Sequence, residues 1–186
     1  MLDDDLFYGT KKYHGKFTEF CEPLKQHLGI TTAAYIRIGY DSKMELICSN
    51  CKWSERFIEK NYIMQDPGIV HPDNMDSGFA FVSTSDDQEY KDTMLHEAVH
   101  EFNFYHSFCY VEKNDTNFTL FYFATGKENN GMINKIVNSS TLVKQLIGNV
   151  NKQIITEFKD LPDNKIDVLK LKGDVFSQQK GIVLKR

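Results

Sequence analysis

Residues 117–125, Asn-Phe-Thr-Leu-Phe-Tyr-Phe-Ala-Thr, carry apolar or aromatic side chains on both faces of an extended segment. A strand of that kind belongs at the centre of a sheet covered on both sides. The neighbouring segments supply the cover. Tyr13, Phe17, Phe20, Leu24 and Leu28 recur at helical spacing, with Gly29 placed to stop the helix. Met94, Leu95, Ala98, Val99 and Phe102 form the stripe of another helix, with Asp86 or Asp87 as its N-cap. Apolar positions from Met132 to Phe158 describe a single long helix.

The other strands are shorter. Thr31 to Ile38 alternates, Asp41-Ser42-Lys43 turns the chain, and Met44 to Ile47 returns. Phe108 to Val111 is strand-like and Asn114-Asp115 turns it toward residue 117. One more strand falls between Phe79 and Ser83. Strands joined by short turns give an antiparallel sheet. The expected fold is α/β: an α-β-α sandwich around a central, mainly antiparallel, five-stranded sheet flanked by helices. Pro162-Asp163-Asn164 closes the globular part, so residues 1–160 read as one domain and 161–186 as a linker or appendage.

Charge divides along the same line. From Lys159 onward there are seven basic residues and four Asp; the rest of the chain has 15 basic and 22 acidic residues. A basic tail on an acidic body is either a solvated linker or a segment that meets an anion. A 41% hydrophobic content argues for a folded globule. No apolar run is long enough to cross a membrane, and the start Met1-Leu2-Asp3-Asp4-Asp5 lacks the layout of a signal peptide. The cytoplasm is the expected compartment, with Cys21, Cys48, Cys51 and Cys109 as reduced thiols.

Residues 53–67 carry the strongest functional signal. Trp53, the single tryptophan, heads an amphipathic segment with Phe57, Ile58 and Tyr62. Asp66 precedes Pro67, and a residue before proline is pushed out of the helical region. An indole donor and a carboxylate acceptor in one apolar cavity can orient a small polar head group. The plainer account makes Trp53 a core residue and Asp66 a turn cap.

His96-Glu97-Ala98-Val99-His100 matches HExxH, and His106 falls where a third zinc ligand would lie. A zinc-dependent hydrolase using His96, Glu97, His100 and His106 is therefore the alternative. Periodicity opposes it: the apolar stripe centres on one side of the helix, which turns both histidines toward water. Cys48-Ser49-Asn50-Cys51 lacks the second pair a zinc site needs. The chain has neither GxxxxGK[ST] nor GxGxxG, so nucleotide binding by those routes is unsupported; the expected protein is a sensor with no cofactor, not an enzyme.

Leu28-Gly29-Ile30 entering a strand, then Trp53, Phe57, Asp66-Pro67, the Gly78-Phe79-Ala80-Phe81 run and Phe121 to Thr125 before the long helix together resemble the LuxR-type quorum-sensing regulators. The likeness lies in their N-terminal autoinducer-binding domain and covers about Tyr13 to Phe158. It implies a GAF/PAS-like sensor that binds an acyl-homoserine lactone or another small amphipathic signal. By the resemblance, Trp53 donates to the lactone carbonyl and Asp66 accepts from the ligand amide. Tyr35, Phe57, Phe79, Phe81 and Tyr122 complete the ligand-binding set. Phe57 stands where the family usually has tyrosine, and Phe81 where it usually has a pocket tryptophan. The resemblance further implies a homodimer formed through the Met132–Phe158 helix. DNA contact would come only through a helix-turn-helix domain missing from this chain, whose opening Phe176 to Leu184 weakly resembles.

Overall fold

The computed structural model describes residues 7–70, 76–81, 88–163 and 165–168. Asp86 and Asp87, and the stretch from Phe176 to Leu184, lie outside the described residues. Six antiparallel strands form one sheet in the order β3-β4-β5-β1-β2-β6. They are β1 (Thr32–Gly39), β2 (Lys43–Cys48), β3 (Gly78–Phe81), β4 (His106–Lys113), β5 (Asn117–Thr125) and the two-residue β6 (Ile166–Asp167). The five expected strands are present, and β6 extends the edge beside β2.

The doubly apolar segment is β5, held between β4 and β1. Local chemistry sets its hairpins. Asn114 Oδ1 accepts from the backbone N–H of Thr116 and Asn117, closing the turn between β4 and β5. Asp41 Oδ1 accepts from Lys43 N at 3.1 Å, and Ser42 takes a left-handed φ of 65° between β1 and β2.

Each strand's two faces feed different cores. Ala33, Tyr35, Ile47, Phe108, Phe121 and Phe123 point to one side. Helices α1 (Tyr8–Phe20), α2 (Glu22–Leu28), α7 (Met132–Asn138) and α8 (Ser140–Glu157) cover them. Ile36, Met44, Leu46, Cys109, Leu120 and Ala124 point to the other side. There they meet α3 (Cys51–Glu59), the 3-10 turn Tyr62–Met64, α4 (Pro67–Val70), α5 (Gln88–Tyr90) and α6 (His96–Phe102). A wide π turn, Lys91–Leu95, joins α5 to α6.

Three helices end differently from the expectation. The first breaks at Cys21, because Pro23 sits in the opening turn of α2 and has no N–H to continue the ladder. Gly29, at φ 72°, stops α2 as expected. The long C-terminal helix is two helices, broken at Ser139, whose Oγ lies 2.8 Å from His27 Nε2 of α2. The Trp53 helix ends at Glu59, where Asn61 adopts a left-handed φ of 55°.

Packing continues past residue 160. Leu161 is buried in the core under α1 and α8, and Val168 in the opposite core. Tyr8, Lys12 and Tyr13 of α1 all bond Asp160.

Candidate functional site

Between the sheet and α3, α5 and α6 lies a cavity of about 80 Å³. On a scale where one water needs about 10–15 Å³, that is room for a small organic group. Its floor includes Ala34, Ile36, Leu46, Tyr122 and Ala124; its roof includes Trp53, Phe57, Tyr90, Met94 and Phe104. Small residues on β1 and β5 open the space, and aromatic rings close it.

Trp53 is positioned by its helix start and by its neighbours. Asn50 caps α3, its side chain accepting from the Trp53 backbone N–H at 3.1 Å. The indole stacks on Tyr62 at 6.0 Å and meets Phe102 and Phe104 edge-on at 5.0 and 5.4 Å. Such contacts fix the ring plane. Its ring N–H has no acceptor among the described residues.

Asp66 is the site's charged group, and only 3% of it is exposed. Its Oδ1 accepts from Tyr122 Oη at 2.6 Å, from Gly68 N at 2.9 Å and from Ile69 N at 3.3 Å. No described donor reaches Oδ2. The two sequence accounts of Asp66 therefore describe different oxygens: Oδ1 caps α4, and Oδ2 remains on a residue that lines the cavity. Burial pushes the carboxyl pKa up to about 6, against the opposing pull of its three donors. Burial, reinforced by Asp66 itself, raises Tyr122, Tyr90 and Cys109 above their ordinary values, so all three stay neutral around pH 7.

The structure brings Trp53, Phe57, Asp66 and Tyr122 to this cavity. It does not bring Tyr35 or Phe79 there. Strand alternation puts Tyr35 on the opposite face, packed on Phe121 at 5.3 Å, with its buried hydroxyl unpartnered among the described residues. Phe79 lies on that same opposite face against Phe108 and Tyr110. Phe81 ends β3 paired with Phe108, and its side chain is outside the described residues. The register explains the difference at β1: Ala34 pairs with Tyr122, while Tyr35 pairs with Phe121.

Tyr90, Phe104 and Ala34 were missed. The alternation of β1 carries the signal for Ala34 once the register to Tyr122 is fixed. Tyr90 precedes the π turn, so simple helical periodicity gives no cue to it.

The HExxH residues do not converge. His96 and His100 are exposed, with rings 4.4 Å apart. Glu97 turns the other way: it accepts from Tyr62 and sits 3.1 Å from Arg56 Nε, tying α6 to α3. His106 Nε2 lies 3.1 Å from Asn130 Oδ1 at the start of β4. Among the described residues no three His, Cys, Asp or Glu side chains are placed to hold a metal. Cys48 ends β2 and lines the cavity, but burial pushes its thiol up to about 12. That makes it a poor nucleophile.

No family model matches the chain, nor does any curated protein sequence. Solved structures do. The fold is that of LuxR-type autoinducer-binding domains. A crystal structure of Escherichia coli SdiA matches with a TM-score of 0.58 at 11% identity, covering 80% of this chain and 63% of that one. SdiA in complex with octanoyl-rac-glycerol matches at 0.55 and 14%, covering 84% and 68%. CepR2 from Burkholderia cenocepacia, described as an N-acylhomoserine lactone dependent LuxR family transcription factor, matches at 0.54 and 11%, covering 86% and 94%. The chain thus spans less than two thirds of the first SdiA structure.

Proposed function

We propose that this chain is a ligand-sensing domain of the LuxR type, binding a small amphipathic signal in the cavity under Trp53. One observation carries the reading. Trp53 offers an N–H and Asp66 an oxygen, both without partners among the described residues, on the walls of one apolar cavity. A ligand with one donor and one acceptor on a short apolar body complements both.

Acyl-homoserine lactones have that pattern. Phe57 weighs against them as the tightest ligands, because a second buried carbonyl finds no hydroxyl there. An unpaired carbonyl costs about 1–3 kcal/mol, or roughly tenfold or more in affinity. Another amphipathic signal with one donor and one acceptor matches the same two groups without leaving that second carbonyl unpaired. That SdiA has been seen with octanoyl-rac-glycerol, a lipid-like amphiphile, is in keeping with this breadth.

Signalling is by population shift rather than catalysis. A ligand that binds the native cavity and not the unfolded chain stabilises the fold. Helix α1 links the cavity to the segment after α8. Thr10 Oγ1 meets the Cys48 backbone N–H and Ser54 Oγ, both on cavity-lining residues, and Tyr8, Lys12 and Tyr13 hold Asp160. The sensor extends past residue 160, since Leu161 and Val168 are buried in its two cores, and DNA contact belongs to a separate helix-turn-helix domain. The working form is a cytoplasmic homodimer joined through α7 and α8, where Ile133 and Val137 are 43% and 66% exposed.

Native mass spectrometry of the purified chain tests the reading. A dimer with a small organic adduct, released on activation, supports it. A bound zinc ion without an organic adduct overturns it.

A further inference from the structure

The ionic character of the site points further than its hydrogen-bond pattern. Asp66 is the one charged side chain on the cavity wall among the described residues; no Lys, Arg or His lines the space. Its hydrogen-bond donors are neutral, and all of them act on Oδ1. A buried carboxylate served by dipoles alone is under-compensated, and buried charges are normally paired. Rings of Trp53, Phe57, Tyr90 and Phe104 stand on the same cavity wall. Aromatic faces attract cations, and most strongly where water is excluded. Ile36, Leu46 and Met94 supply apolar wall for a hydrocarbon body.

We propose that the cavity selects a cationic ligand: a small primary amine with an apolar body and one hydrogen-bond acceptor. Its ammonium group lies between Asp66 Oδ2 and the surrounding rings, and its acceptor meets the Trp53 N–H. Tyr122 Oη, whose proton goes to Asp66, keeps lone pairs for a second ammonium N–H. The inference rests on the ligand-sensing reading above and narrows it to one class, since an acylated amine is neutral and offers Asp66 a single weaker donor.

The pH dependence follows from Asp66 alone. Tyr90, Tyr122 and Cys109 are the titratable groups facing it, from α5, β5 and β4, and burial keeps each neutral. Protonating Asp66 removes the anion and with it the preference for a cation.

The test is a fluorescence titration, since Trp53 is the single indole in the chain and reports on the cavity directly. Three probes share one skeleton: leucine methyl ester, its α-hydroxy analogue and N-acetyl-leucine methyl ester. At pH 7 the ammonium ester is expected to bind at least about tenfold tighter than either neutral probe. That preference is expected to vanish at pH 5 in the wild type, and at pH 7 in Asp66→Asn, whose melting curve confirms folding. Neutral probes binding as tightly as the ammonium ester would overturn the cationic class and leave the sensor standing. If no probe binds, and an acyl-homoserine lactone also leaves Trp53 emission unchanged, both are overturned. If the lactone alone binds, only the cationic class falls.

Discussion

Tyr122 donates its hydroxyl to Oδ1 of Asp66 across 2.6 Å, sharing that oxygen with the backbone N–H groups of Gly68 and Ile69. The bond joins the central strand to the loop after α3, and so sets the distance between cavity floor and roof. Tyr122→Phe removes one of the three donors that hold the Asp66 pKa down. The Asp66 carboxyl is expected to titrate above its present value of about 6, followed by carbon-detected NMR. The fold is expected to lose about 1.5–3 kcal/mol, the range for a hydrogen bond to a charged group.

Asp66 also makes stability depend on pH. Its carboxyl holds a proton up to about 6 when folded, against 3.8 for the ordinary group. Between those values the native state binds more protons than the unfolded one, so stability falls as pH rises through the window. The ligand-free protein is expected to lose on the order of 3 kcal/mol from this group between pH 4 and pH 7. Denaturant melts of wild type and Asp66→Asn across that range isolate the effect: the variant should lack this component of the slope.

The HExxH helix divides cleanly in its consequences. Glu97 is buried and bonds Tyr62 and Arg56, whereas His96 and His100 are exposed. Glu97→Ala leaves the Tyr62 hydroxyl unpaired and frees α3 from α6, for an expected loss of about 1–3 kcal/mol. Changing His96 and His100 together to alanine is expected to cost within about 0.5 kcal/mol and to leave any ligand response intact. Chemical denaturation of both variants checks the contrast.

Gly9 marks where α1 crosses β2. A Cβ there would stand 2.4 Å from the Leu46 carbonyl oxygen and 2.9 Å from Leu161 Cδ1. Gly9→Ala must push the helix off the strand, at an expected cost of about 1–3 kcal/mol. A thermal melt measures it.

Much of this was legible in the sequence because period-2 and helical patterns reflect burial directly. β5 announced its central place through its two apolar faces. Gly29 stopped its helix as a residue free to take positive φ does, and the histidines of HExxH fell opposite their apolar stripe. What was not legible depended on relations between distant segments. Tyr35 and Tyr122 look equally suited to a pocket in sequence; only the β1–β5 register puts them on opposite faces. The break at Ser139 left no mark, because apolar residues continue at helical spacing through it. Tyr90 enters the cavity beside a π turn that helical spacing does not foresee.

We propose that Trp53 and Asp66 together bound a working ligand site. The most direct test compares thermal shifts of wild type and Asp66→Asn against acyl-homoserine lactones and small apolar amines. At least one compound is expected to raise the wild-type melting temperature and change Trp53 emission, and Asp66→Asn, folded, is expected to lose both responses. Equal responses in the two proteins, or none in the wild type, would contradict it.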